Sequence, residues 1–120
     1  MTIEQLIGCL EAFPKDTIIA NVGLDDYGSD RGDYYDFYIG EDYGKNKKNY
    51  TVGEIIDVLN DSIDKIFQGY KGGDFTMYSD TEVKLGSYGM CGSEIDGVIV
   101  KYDYSKGVYV EIKKVKYLEY

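Results

Sequence analysis

Any chemistry in this chain is done without histidine: none occurs among its 120 residues, against 22 acids and 13 cations. That removes Ser-His and Cys-His nucleophilic pairs, most zinc sites and the commonest general base. Cys9 and Cys91 stand far apart, form no C-x-x-C pair, and have no neighbouring sequence feature that would lower a thiol pKa. Ser62-Ile63-Asp64-Lys65 has the S-x-x-K spacing of penicillin-recognising enzymes, but the companion S-D-N and K-T-G signatures are missing. The stretch from Asp25 to Asp33 (DDYGSDRGD) has a calcium-like composition. It lacks both the EF-hand glycine register and the closing glutamate, so an ordinary solvated turn is the better account. Arg31-Gly32-Asp33 spells an integrin tripeptide that chance explains. These residues predict no catalysis, no metal site and no cofactor; an enzyme working through carboxylates alone ranks last.

The glycine-rich stretches suit binding better. Gly69-Tyr70-Lys71-Gly72-Gly73-Asp74 lets backbone approach a ligand closely, with Lys71 for an anion and Tyr70 for stacking. It is no Walker loop, because the spacing is wrong and it follows a helix. A helix C-cap leading into a strand is the plainer explanation. Gly86-Ser87-Tyr88-Gly89-Met90-Cys91-Gly92 reads as a wide turn between strands, and Arg31, the chain's one arginine, also adjoins a glycine. If the three loops converge, the ligand-binding set is Arg31, Gly32, Tyr70, Lys71, Gly72, Gly73 and Tyr88.

The net charge is −9, and residues 16–42 carry eight acids opposed only by Arg31. A field of this sign repels phosphate backbones, so direct nucleic-acid binding is not expected. It suits a basic protein partner, met through Asp25, Asp26, Asp30, Asp33 and Asp36; solubility alone explains it equally well. The 14 tyrosines, among them Tyr102, Tyr104 and Tyr109 near the last hairpin, serve cross-strand packing first and protein contact second.

These residues need elements to position them. Thr2 and Gln5 frame a capping box, with Ile3, Leu6, Ile7 and Leu10 at helical spacing, which predicts a helix over 2–12. Residues 17–22 read as a strand, GLDDYGSDRG as a loop, and 33–39 as a second strand antiparallel to the first. GEDYGKNKKNY reads as a further loop. Thr51 and Glu54 cap a second helix, whose apolar stripe predicts continuation to about Phe67 with Gly69 as the stop. Strands follow over 75–77, 82–85, 95–102 and 108–117, the last two as a hairpin.

The predicted order is α-β-β-α-β-β-β-β: one α+β domain over 1–120, with an antiparallel sheet of five to six strands and two covering helices. The cysteines read as reduced thiols, the start carries no basic leader, and no apolar run approaches a membrane span. A cytosolic chain is expected, as a possible homo-oligomer.

MTIEQLIGCLEAFPKDTII, R-G-D-Y-Y, T-V-G-E-I-I-D-V-L, G-Y-K-G-G-D-F-T-M with its following D-T-E-V, and Y-G-M-C-G resemble a family of small, uncharacterised bacteriophage proteins. The similarity runs to about Gly97. The resemblance carries no activity, but it implies a phage origin, and small non-catalytic phage accessory proteins often counter host defence. Three roles follow. The first is sequestration of a small, anionic, nucleotide-type ligand at the glycine-rich loops. The second is an acidic inhibitor gripping a basic host defence protein as a nucleic-acid mimic. The third is a phage structural or assembly role, with strand edges and tyrosines as the contact surface.

Overall fold

The computed structural model describes residues 1–29, 36–41, 49–68, 73–86, 92–105 and 107–115. Both helices start where their caps dictate. In α1 (Ile3–Leu10) the Thr2 hydroxyl accepts from the Gln5 N–H at 3.1 Å, and the Gln5 side chain accepts from the Thr2 N–H at 2.9 Å. In α2 (Val52–Ser62) Thr51 and Glu54 make the same reciprocal pair. Each satisfies two amide donors that the first turn leaves without helical partners. The buried stripes are Ile3, Leu6, Ile7 and Leu10 on α1, and Val52, Ile55, Ile56 and Leu59 on α2. Each fully buried Leu or Ile contributes roughly 1.5–3 kcal/mol.

The second helix ends earlier than its apolar stripe predicts. Ile63 is already extended, and Asp64 takes a left-handed φ of 68°. Asp tolerates that conformation better than most side chains. Its N–H donates to the Met77 carbonyl at 2.7 Å, and Met77 N–H donates back to Lys65 at 2.9 Å. The chain thus leaves the helix to run beside the segment carrying Met77, and residues predicted as the last helical turn become β5 (Ile66–Gln68). This pairs with β6 (Asp74–Thr76) in a small separate sheet. Tertiary pairing overrides helical periodicity here.

The main sheet has seven strands: β1 (Ile18–Ile19), β2 (Val22–Ser29), β3 (Phe37–Glu41), β4 (Tyr50–Thr51), β7 (Val83–Gly86), β8 (Ser93–Asp103) and β9 (Gly107–Lys114). Their order is β2-β3-β7-β8-β9-β1-β4. The class is α+β, but the strands outnumber the five to six predicted, and β3·β7 and β1·β9 are parallel. The GLDDYGSDRG stretch is also not a simple loop, since its first seven residues belong to β2. Glycines and aspartates occur there because the strand bulges. Gly23 opposes Gly40 and Tyr27 opposes Ile39, leaving residues 24–26 as an insertion. The bulged backbone passes so close over β3 that a Cβ on Gly40 would lie 2.9 Å from the Asp26 carbonyl oxygen. Only glycine fits without a shift.

The strand predicted over 33–39 is described from Asp36 onward, and its β3 part is buried on both faces. It pairs antiparallel with β2, not with β1 as predicted for residues 17–22, whose ends fall on two different strands.

One short connection bends this sheet into an almost closed barrel. β1 and β2 are separated by Ala20 and Asn21 alone, yet β1 lies beside β9 while β2 is the far edge strand. The Asn21 side chain continues the ladder after the backbone has turned away. Its Nδ2 donates to the Ile112 carbonyl at 2.8 Å, and its Oδ1 accepts from the Ile112 N–H at 2.9 Å. On the closing side the Tyr50 hydroxyl donates to Asp25 on β2 at 2.9 Å. The core gathers the helix stripes with Ile19, Val22, Phe37, Ile39, Met77, Val83, Leu85, Ile95, Val110 and Ile112.

Candidate interaction surface

The hairpin of β8 and β9 outruns the core that its root helps to build. Partners across it share a face: Val98 with Ile112, Val100 with Val110, Tyr102 with Val108. At the root that face is buried, with Ile112 at 2% and Val110 at 0% exposure. Cover ends within the Val100–Val110 pair: Val100 itself is 59% exposed, Tyr102 and Val108 farther out are 68% and 60% exposed, and Tyr104 beyond them is 99% exposed. The Tyr102 and Tyr104 rings meet edge to face at 6.0 Å. The tip is held by the Asp103 carboxylate, which accepts from the Ser105 N–H at 2.7 Å, and by Gly107 at φ 73°. Isolated exposed apolar side chains are ordinary, but a run along one face of a projecting hairpin makes a candidate contact surface.

The opposite face of the hairpin is ionic and internally matched. Lys101 pairs with Glu111 at 3.2 Å and Lys113 with Asp96 at 3.2 Å. At the root, Lys114 pairs with Glu41 at 2.7 Å beside an open groove of about 450 Å³. The lysines lining that groove are therefore already matched by carboxylates, which weakens it as an anion site.

Of the predicted ligand-binding residues, Gly73 alone is described: it is exposed and directly precedes β6. Arg31, Gly32, Tyr70, Lys71, Gly72 and Tyr88 lie outside the described residues. Their bracketing strands are described. Phe67 on β5 packs edge to face on Phe37 at 5.9 Å, and its ring would stand 3.4 Å from a Cβ on Gly28. Tyr27, half-exposed, tilts onto Phe37 at 6.2 Å. The strands flanking residues 30–35 and 69–72 therefore share one aromatic corner. Residues 87–91 are bracketed by Gly86 and Gly92, at the other end of the parallel β3–β7 pair from Phe37.

Among the acids expected to meet a basic partner, Asp30 and Asp33 also lie outside the described residues. Asp25 and Asp26 both sit on the β2 bulge and accept hydrogen bonds from the Tyr50 and Tyr38 hydroxyls respectively. Asp36 is half-buried and directly precedes β3. Asp25 thus helps close the barrel between β2 and β4, and Asp26 ties the bulge to the neighbouring β3, roles their sequence pattern did not suggest. Among the described residues no three His, Cys, Asp or Glu side chains are grouped to hold a metal, and no helix is long and apolar enough to cross a membrane.

In comparisons with known proteins, no family model, no curated protein and no solved structure matches the chain.

Tyr102, Tyr104 and Tyr109 stand out in the sequence, but the predicted ligand-binding and acidic sets lie on other segments. The available signal was Gly97-Val98-Ile99-Val100, four uncharged residues in a row where a half-solvated hairpin ordinarily alternates.

Proposed function

We propose that this protein is a non-catalytic bacteriophage accessory protein that works in the host cytosol by gripping a protein partner through the outer β8–β9 hairpin. One observation carries the reading: the core-facing side of the hairpin continues outward as Val100, Tyr102 and Val108 with no described element over it. Tyrosine gives large contact area at low entropic cost, and such residues make the anchors of protein interfaces. The partner surface is apolar and near neutral at its centre, because the charges on the hairpin are matched within the chain.

The test is affinity capture from host lysate with wild type, with a Tyr102→Ser/Tyr104→Ser/Val108→Ser variant, and with an Arg31→Ala/Lys71→Ala variant. The expected result is a partner retained by wild type and the second variant but lost from the first. Retention by the hairpin variant overturns the reading. The substituted side chains are exposed, so the melting temperature should fall by less than about 5 °C.

A second reading rests on the shared aromatic corner of Phe67, Phe37 and Gly28. Residues 30–35 and 69–72, whose flanking strands meet there, would hold a small, anionic, nucleotide-type ligand, with Arg31 and Lys71 for charge and Tyr70 for stacking. Native mass spectrometry with a nucleotide panel tests it. Binding that survives Arg31→Ala/Lys71→Ala would defeat this mechanism.

A further inference from the structure

Among the described residues, the long edge of β8 lacks a neighbouring strand for most of its length. β7 reaches β8 only at Ser93 and Glu94, and β9 lies on the other side throughout. From Gly97 to Lys101, then, no described strand pairs with the β8 edge that faces away from β9. Proteins usually guard such edges with an outward lysine, a bulge or a proline. Here a bulge occurs, but at Asp96, before the open stretch. The one lysine, Lys101, is drawn toward β9 by Glu111 at 3.2 Å and so leans away from the edge. Between them Gly97, Val98, Ile99 and Val100 are uncharged.

We propose that two copies of this chain pair antiparallel through these edges, about a two-fold axis at Ile99. The geometry selects the register. A two-fold axis perpendicular to a continuous sheet keeps like faces together, so it must pass at a residue and set that residue opposite itself. Centred on Lys101, it opposes two lysines. Centred on Val100, it makes the two Lys101 side chains diagonal neighbours, roughly 7–8 Å apart. Centred on Val98, it sets Asp96 against Val100 and the buried Ile95 against Lys101. Centred on Ile99, it sets Ile99 against Ile99, Val98 against Val100 twice, and Lys101 against Gly97, with no like charges opposed or diagonal. A Cβ on Gly97 would meet nothing within 4 Å, so space for the lysine stem is open.

Such a dimer leaves the tyrosine-bearing face uncovered and joins it to that of the second copy in one platform. The edge and the face are thus separate claims, and different substitutions test them. Each copy carries −9, so the pair repels at long range, and added salt should tighten it, unlike a complex built on opposite charges.

Sedimentation equilibrium over a concentration series tests the pairing. The wild-type mass should rise to two chains and do so more readily at higher salt. Ile99→Lys and Ile99→Asp should each weaken association about tenfold or more, since like charges then face each other across the axis. Mixing the two variants should restore a dimer, because residue 99 meets residue 99. Ile66→Lys, on the exposed β5, should leave association unchanged. A wild type that stays monomeric, an Ile99→Lys variant that dimerises like wild type, or a mixture no tighter than its components would overturn the proposal. None of these results alters whether Tyr102→Ser/Tyr104→Ser/Val108→Ser loses its captured partner.

Discussion

Asn21 offers the sharpest test of how the barrel closes. Its amide both donates to and accepts from the backbone of Ile112, which is itself 2% exposed. Replacing it with alanine strips partners from one buried N–H and one buried C=O. Each such loss is worth about 1–3 kcal/mol, and partial water access favours the lower end, so a loss of about 2–4 kcal/mol is expected. At about 2.1 cal/mol/K per residue, unfolding this chain changes entropy by about 250 cal/mol/K, so 1 kcal/mol moves the melting temperature by about 4 °C. Asn21→Ala should therefore melt about 8–16 °C below wild type by circular dichroism. Asn21→Asp sharpens the reasoning. Ionised, it accepts from the Ile112 N–H but turns a second acceptor toward the carbonyl; protonated, it can donate as Asn21 does. Its folded-state pKa should then exceed the ordinary value near 3.9. Stability gained from the protonated form is present at low pH and lost as pH rises through that raised pKa. The deficit relative to wild type should accordingly shrink on moving from neutral to mildly acidic buffer. An Asn21→Ala melting temperature within about 2 °C of wild type would refute the reasoning.

Substitutions at two further positions probe the elements that sequence patterns misplaced. Gly40→Ala forces a Cβ within 2.9 Å of the Asp26 carbonyl oxygen, and should destabilise by about 1–3 kcal/mol in urea titration; no change would mean the bulge moves freely. Asp64→Gly should hold or raise stability, by up to about 1 kcal/mol, because φ is 68° there, while Asp64→Val should lower it by at least about 1 kcal/mol. Equal effects of the two would remove Asp64 as the reason α2 stops at Ser62.

The parts of the fold legible in sequence were those set by local rules. Thr2 and Thr51 start helices because a hydroxyl followed three residues later by Gln or Glu satisfies the first-turn amides. The β8–β9 hairpin follows from two apolar runs around Ser105-Lys106-Gly107. What stayed illegible depended on distant partners. Ile63 and Ile66 continue the stripe of α2, yet Met77 captures the chain at Asp64. Asp25 and Asp26 read as a turn, but on the β2 bulge they meet tyrosines of β4 and β3. The candidate surface was legible only in part. Its tyrosines were plain, but their exposure depends on how far β8 and β9 extend beyond helices that no local pattern positions.

Photo-crosslinking from position 102 in the bacterial host, with position 27 as the contrast, tests the hairpin as contact surface most directly. The expected result is one discrete adduct with a protein other than a second copy, formed from position 102 and competed by wild type but not by Tyr102→Ser/Tyr104→Ser/Val108→Ser. No discrete adduct from position 102, together with one from position 27 beside Phe37 and Phe67, would contradict it and move the function to the aromatic corner.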